Sequence, residues 1–135
     1  MLENNPESVK IVFKHLPLRM HDMAETAALA AIAAQNQGKF WPMHDALFAT
    51  PKLNKETIDQ AAESIGLDMD TFKKDMNSPE TKQKLAKDLA SAQQADVTGT
   101  PTLFVNGRRV KNRGPDVIQN MVDQEITKAE PAPSN

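Results

Sequence analysis

The most informative absence in this chain is cysteine, since none of its 135 residues is one. Without a thiol the chain forms no disulfide, offers no thiolate nucleophile and supplies no sulfur ligand to zinc or to an iron–sulfur cluster. The absence by itself does not indicate a redox compartment, because a cysteine-free protein is compatible with both reducing and oxidising compartments.

Long apolar runs and an excess of one charge are also lacking. No apolar run reaches the length of about 18 residues that a transmembrane helix requires, and residues 1–5 lack the basic and apolar stretches of a signal peptide. The net charge of −2 argues against a nucleic-acid binder driven by bulk charge. We therefore expect neither a nucleic acid nor a membrane as a partner. The hydrophobic fraction of 39% and charged fraction of 25% are typical of a globular protein.

The first third of the chain predicts a strand followed by two helices. Apolar residues alternate over Val9–His15, which predicts a strand with one buried face. A helix is expected from about Asp22 to Gln37, with Asp22 as its cap and Gly38 closing it. Its apolar positions are mostly alanine, so a neighbouring element must approach closely. Residues Phe40–Phe48 hold three of the six aromatic side chains and predict a short helix that anchors the core.

Three further helices are predicted from their capping residues. Asn54 caps a helix that runs to Ile65, Asp68 caps a short one, and Ser78 caps a longer one that ends near Gln94. The block from about residue 20 to 95 is therefore expected to be helical.

The last third of the chain changes character. Strands are predicted over Thr102–Val105 and Arg108–Val110, joined by the turn pair Asn106-Gly107. Gly114-Pro115-Asp116 is expected to open a final helix that runs to about Lys128. Residues 131–135 are expected to be a disordered tail. No linker is long enough to divide the chain, so we expect a single domain over 1–130 with the helical block as an insertion.

An ordered set of short motifs gives this chain a family resemblance. The motifs are Phe13–Leu18, Gln37–Trp41, Thr98–Thr102 and Val105–Gly107. In this order they resemble the thioredoxin-like thiol–disulfide oxidoreductases of the DsbA family, over about Val9 to Ile126. The resemblance implies an α/β, thioredoxin-like fold with a helical insertion.

The resemblance also implies a substrate-binding element at Gly99, Thr100 and Pro101. In it, Pro101 is cis and the backbone of Thr100 pairs with an extended substrate polypeptide. It implies no cofactor, and a periplasmic or other extracytoplasmic location.

The chain lacks the part of the family's sequence that carries the redox chemistry. The family's Cys-x-x-Cys motif, the strand before it and most of the redox helix precede the segment that matches Met1–Glu3. We therefore expect an N-terminally truncated remnant to which no catalytic residue is carried over. The truncation has two candidate origins, a start at an internal methionine or a selenocysteine codon taken for a stop. The alternative is a true cysteine-free relative.

Loss of the first strand predicts a gap in the sheet that must be closed. Strand 9–15 could pair with strand 102–105, another chain could add a strand, or a second copy could supply the pairing. Our hypothesis is a homodimer held through this sheet or through the apolar face beside it.

The functional hypothesis is the C-terminal part of a DsbA-like oxidoreductase that is redox-inactive as this chain. The alternative is a non-catalytic module that binds peptides or associates with itself. A third hypothesis, a metal-dependent hydrolase using His15, His21 and His44, is disfavoured because no two histidines are spaced i, i+4. We expect no metal site. The basic residues Arg108, Arg109, Lys111 and Arg113 are interpreted as a solvated strand edge that discourages aggregation.

Overall fold

The computed structural model describes residues 1–131, and these form two compact units. We call Lys14–Thr98 the helical unit, and Met1–Phe13 together with the chain from Gly99 onward the hairpin unit. The prediction of one domain over 1–130 with an insertion at about 20–95 stays a prediction. Of the predicted tail 131–135, Pro131 has no regular secondary structure and the remaining residues lie outside the described range.

The helical unit contains five helices. They are α1 (Ala24–Asn36), α2 (Phe40–Ala49), α3 (Lys55–Ser64), α4 (Met69–Met76) and α5 (Pro79–Gln94). The caps predicted for the last three are confirmed, because Asn54, Asp68 and Ser78 each accept a hydrogen bond from the backbone N–H three residues later. Local signals therefore place these three helix starts correctly.

The alanine face of α1 forms the centre of the helical unit. Ala30, Ala33 and Ala34 are fully buried and belong to the same cluster as Met43 of α2 and Phe72 of α4. This confirms the prediction that neighbouring elements approach this face closely.

The start of α1 differs from the prediction. Asp22 is not the cap: the N-cap is Met23, no side chain bonds to the first turn, and the N–H of Ala24 instead donates to the carbonyl of His21 at 3.0 Å. A backbone turn leads into this helix, so a side-chain cap is not needed. The end is as predicted, with Gly38 at φ +72°, a conformation that glycine adopts without steric cost.

The prediction that Phe40–Phe48 anchors the core is wrong for most of its aromatic residues. Met43 alone is buried within α2, while Trp41 is 47% exposed and Phe48 is 78% exposed. Met43 and its neighbour Leu47 lie on the core side at i, i+4 spacing. Trp41 and Phe48 fall on another face of the same helix, which composition alone does not indicate.

The hairpin unit contains a two-stranded antiparallel sheet and one helix. Strand β1 (Phe104–Val105) pairs with β2 (Arg108–Arg109), and α6 spans Pro115–Ala129. Asn106 and Gly107 both have positive φ, at 45° and 80°, as a two-residue turn of type I′ requires. Both strands are shorter than predicted, although the N–H of Val110 continues the pairing by donating to the carbonyl of Leu103 at 2.9 Å.

The predicted strand over Val9–His15 does not form. Within the described residues 1–131, this stretch has no regular secondary structure. Within the same range the sheet has only β1 and β2, so strand 9–15 does not pair with strand 102–105 either. Ile11 is 43% exposed and Phe13 is 42% exposed, so the expected buried face is missing too. A strand exists only with a hydrogen-bonded neighbour, and an alternating sequence does not supply one.

Candidate functional site

The three residues predicted to bind substrate lie together on an open loop of the hairpin unit. Thr100 and Pro101 are exposed and Gly99 is partly buried. The Thr100–Pro101 peptide bond is cis, the isomer that the resemblance implied. The loop leads directly into the hairpin, whose turn fixes where the returning strand lies.

Two side-chain hydrogen bonds hold this loop. The hydroxyl of Thr102 donates to the carbonyl of Gly99 at 2.7 Å, and Nη1 of Arg113 donates to the carbonyl of Pro101 at 2.9 Å. The carbonyls on both sides of Thr100 are therefore already engaged. The loop is held by residues of its own unit.

Thr100 itself keeps both of its backbone groups available. Among residues 1–131, neither its N–H nor its C=O has a hydrogen-bond partner. Because the residue is exposed, water or a ligand takes these two positions. The loop thus presents one free donor and one free acceptor between two fixed carbonyls.

Arg113 contacts the candidate site through Pro101, and the sequence analysis missed this residue because it assigned Arg113 to a solvated edge. The hairpin register could have found it. Phe104 lies opposite Arg109, and counting the same antiparallel register outward places Arg113 opposite Thr100. A two-residue turn such as Asn106-Gly107 fixes this register from sequence alone.

Two of the other basic residues, Arg108 and Arg109, have partners within the hairpin unit. Nη1 of Arg108 lies 3.1 Å from a carboxylate oxygen of Glu125, which also accepts from Lys128 at 2.8 Å. Hydrogen bonds from Lys128 and Arg108 hold the pKa of Glu125 below its usual range. The guanidinium of Arg109 lies over the ring of Phe104, 5.6 Å from its centre. Arg108 and Arg109 are therefore engaged within the hairpin unit, and the interpretation of the basic cluster as a strand edge that discourages aggregation stays a prediction.

The three histidines do not form a shared site. His15 is buried with its ring edge-on to Phe40, His21 is exposed, and Nδ1 of His44 lies 3.0 Å from a carboxylate oxygen of Asp45. In the described part of the chain no three His, Asp or Glu side chains gather as they would around a metal ion. The geometry therefore gives the hydrolase hypothesis no support.

Burial sets the protonation of His15. Removal from water lowers the pKa of its imidazole, and the nearby carboxylate of Asp88 opposes this shift while Lys84 adds to it. Asp88 also accepts a hydrogen bond from the backbone N–H of His15 at 2.9 Å. His15 is thus a neutral, structural side chain near neutral pH.

Comparison with known proteins identifies the family. The model of the DSBA-like thioredoxin domain matches residues 1–124. The chain belongs to this family. It is a DSBA-like domain without a single cysteine, so it lacks the thiol on which the family's exchange chemistry depends.

One solved structure and one curated relative are each similar to this chain over most of its length. A thioredoxin-like oxidoreductase from Silicibacter pomeroyi superimposes with a TM-score of 0.83 at 30% identity, covering 96% of this chain and 74% of that one. A probable disulfide bond formation protein D from Bacillus anthracis is 32% identical over 89% of this chain and 59% of its own length. The fold of the DSBA-like domain is therefore α/β and thioredoxin-like, rich in helix with a small sheet.

A further relative is a much longer membrane transporter by name. The Na(+)/H(+) antiporter NhaA 3 of Salinispora tropica is 43% identical over 83% of this chain, which spans only 17% of the antiporter. Within residues 1–131, no helix of the present chain has the length and apolar character needed to cross a bilayer. The similarity is thus confined to a small part of that protein.

Proposed function

We propose that this DSBA-like domain is the substrate-binding part of a protein thiol–disulfide oxidoreductase and exchanges no disulfide through its own residues. Exchange requires a thiolate that attacks a disulfide sulfur, and this chain has no cysteine. The redox pair of such an enzyme has to be supplied by residues other than these 135.

The observation that carries the proposal is the backbone of Thr100. Its N–H and C=O are unpaired among the described residues, it is exposed, and the carbonyls of Gly99 and Pro101 beside it are held in place. An exposed main chain with unpaired groups binds an extended peptide by adding it as a strand. Main-chain pairing by itself places no requirement on the side chains of the bound peptide.

The relatives support the class of reaction. The Bacillus protein is named for disulfide bond formation and the Silicibacter protein for oxidoreductase activity. The present chain spans 59% of the first protein and 74% of the second. We therefore propose their class of reaction for this chain from the similarity alone.

Peptide binding is tested by adding bulk beside Thr100. A Cβ at Gly99 would meet no atom within 4 Å, so Gly99→Leu should fold normally while its side chain obstructs the approach of a peptide. The matched control is Asn120→Leu, which adds the same apolar bulk at an exposed position of α6. The probe is fluorescein-labelled insulin B chain with its thiols carbamidomethylated, and the readout is fluorescence anisotropy.

We expect saturable binding by the wild type and by Asn120→Leu, and weaker binding by Gly99→Leu. Thermal melts followed by circular dichroism verify that both variants are folded. Absence of binding by the wild type, or equal binding by Gly99→Leu, would show that the Thr100 loop is not a peptide site.

Redox inactivity is tested with the chain as it is. We expect no acceleration of the reduction of insulin by dithiothreitol, because no residue can form the mixed disulfide. The coding DNA upstream should carry an in-frame Cys-x-x-Cys or a UGA-containing equivalent, and the longer product should accelerate the reaction. Turnover by the present chain, or inactivity of the cysteine-containing longer product, would contradict the proposal.

Self-association is a second candidate, favoured by the exposed apolar stretch of the hairpin unit. Ile11 and Val12 are 43% and 67% exposed on a segment that has no regular secondary structure and no strand pairing in residues 1–131. A second copy that paired there would cover them, and the homodimer of our hypothesis would result. Light scattering after size exclusion should give twice the chain mass, and Val12→Lys should give a monomer. A monomeric wild type at micromolar concentration would refute the dimer.

A further inference from the structure

We propose that the Thr100 loop selects extended peptides that carry acidic side chains, and that Arg113 supplies the selecting charge. This inference rests on the proposed peptide binding at Thr100 and adds a substrate class to it. The argument depends on where the guanidinium of Arg113 is held and on which charges of the hairpin unit are already compensated.

The guanidinium of Arg113 is fixed at the loop. Its Nη1 donates to the carbonyl of Pro101 at 2.9 Å, one residue from the free backbone groups of Thr100. A guanidinium has five N–H donors in a planar fork. One donor is used by this bond, and the side chain is exposed, so others remain open to a ligand.

The charge of Arg113 is not compensated within its unit. Among residues 1–131, no Asp or Glu pairs with it. Arg108 differs in this respect, because Glu125 lies 3.1 Å from it. The two arginines belong to the same short segment, yet only Arg113 leaves its positive charge beside the loop.

A peptide paired with the main chain of Thr100 therefore meets this charge. A carboxylate on the peptide can bind the guanidinium through a charge-assisted hydrogen bond, whereas a lysine is repelled. The contact is exposed to solvent, so the expected preference for an acidic over a neutral peptide is about two- to five-fold in affinity. Arg113 positions the loop and sets its specificity in the same contact.

The test uses three fluorescein-labelled peptides that are identical except at their centre. The central residues are all Glu, all Gln or all Lys, so that both faces of the bound strand are sampled. Wild type should bind them with affinity falling in that order. Salt at about 1 M, where the Debye length is about 3 Å, should remove most of the difference.

Arg113→Gln removes the charge and Arg108→Gln is its matched control. Arg113→Gln should lose the preference and bind the Glu and Gln peptides with equal affinity, whatever common loss of affinity follows from the missing hydrogen bond to the carbonyl of Pro101. Arg108→Gln should keep the preference, since its charge is already paired with Glu125. These two results together support the inference.

Two results overturn only the substrate class. One is equal affinity of the wild type for the three peptides, and the other is an acidic preference that survives in Arg113→Gln. In the second case, a fall in affinity by the same factor for the Glu and Gln peptides would mean that Arg113 only holds the loop. If the wild type binds no peptide at all, the proposed function fails and this inference fails with it.

Discussion

Replacing Phe72 with alanine is the sharpest test of the fold of the helical unit. Phe72 lies in α4, is fully buried, and belongs to the core cluster that includes Ala30, Ala33 and Met43. Helix α4 has eight residues, which is too short for a helix to be stable alone in water. Its helical state therefore depends on the burial of this ring.

The magnitude follows from the burial. Removing a fully buried phenylalanine side chain costs about 3–5 kcal/mol, because apolar surface is lost and a cavity remains. That is a large part of the net stability of about 5–15 kcal/mol that a domain has. For a chain of this length we expect the melting temperature to fall by about 10–20 °C.

The matched control is Phe48→Ala, the same substitution in α2 of the same unit. Phe48 is 78% exposed and stacks on His44, with ring centres 4.5 Å apart. Loss of one exposed ring contact should cost no more than about 1 kcal/mol. Urea unfolding followed by circular dichroism measures both variants. If Phe72→Ala were no less stable than Phe48→Ala, the assignment of Phe72 to the core would be wrong.

Two further predictions concern local features of the helical unit. Asn54→Ala removes a capping box, in which Asn54 and Thr57 exchange hydrogen bonds of 2.9 Å, and should lower the free energy of unfolding by about 1 kcal/mol in urea titrations; an unchanged midpoint would speak against the cap. Burial lowers the pKa of His15, so the unfolded chain binds more protons below about pH 6.5 and stability should fall as the pH is lowered through that value. His15→Gln should flatten this fall below about pH 6.5; equal slopes in the wild type and His15→Gln would contradict the assignment.

The sequence was sufficient for features that depend on a few neighbouring residues. A cap such as Asp68 or Ser78 acts on a backbone N–H only three residues away, so the chain need not be folded elsewhere for the signal to hold. The turn at Asn106-Gly107 is equally local. These elements lie where the pattern predicted them.

The sequence was insufficient where an element depends on a distant partner. The alternation over Val9–His15 describes a segment that could be a strand, but pairing requires a second segment that the pattern does not name. The prediction that the aromatic side chains of α2 anchor the core was wrong for a related reason. Their number suggested a core, whereas the face that each occupies decides whether Trp41 or Met43 is buried.

The candidate site could be predicted from the sequence because it depends on neighbouring residues, although Arg113 was missed. Every hydrogen bond that holds the loop comes from within Gly99–Arg113, and a two-residue turn connects the two sides. A slip of one residue in this register would place Asn112 or Gly114 opposite Thr100 in place of Arg113. The carbonyl of Pro101 would then lose its guanidinium partner and the loop its charge. The turn chemistry of Asn106-Gly107 therefore determines the shape of the Thr100 loop, and with it the preference for acidic side chains that we propose.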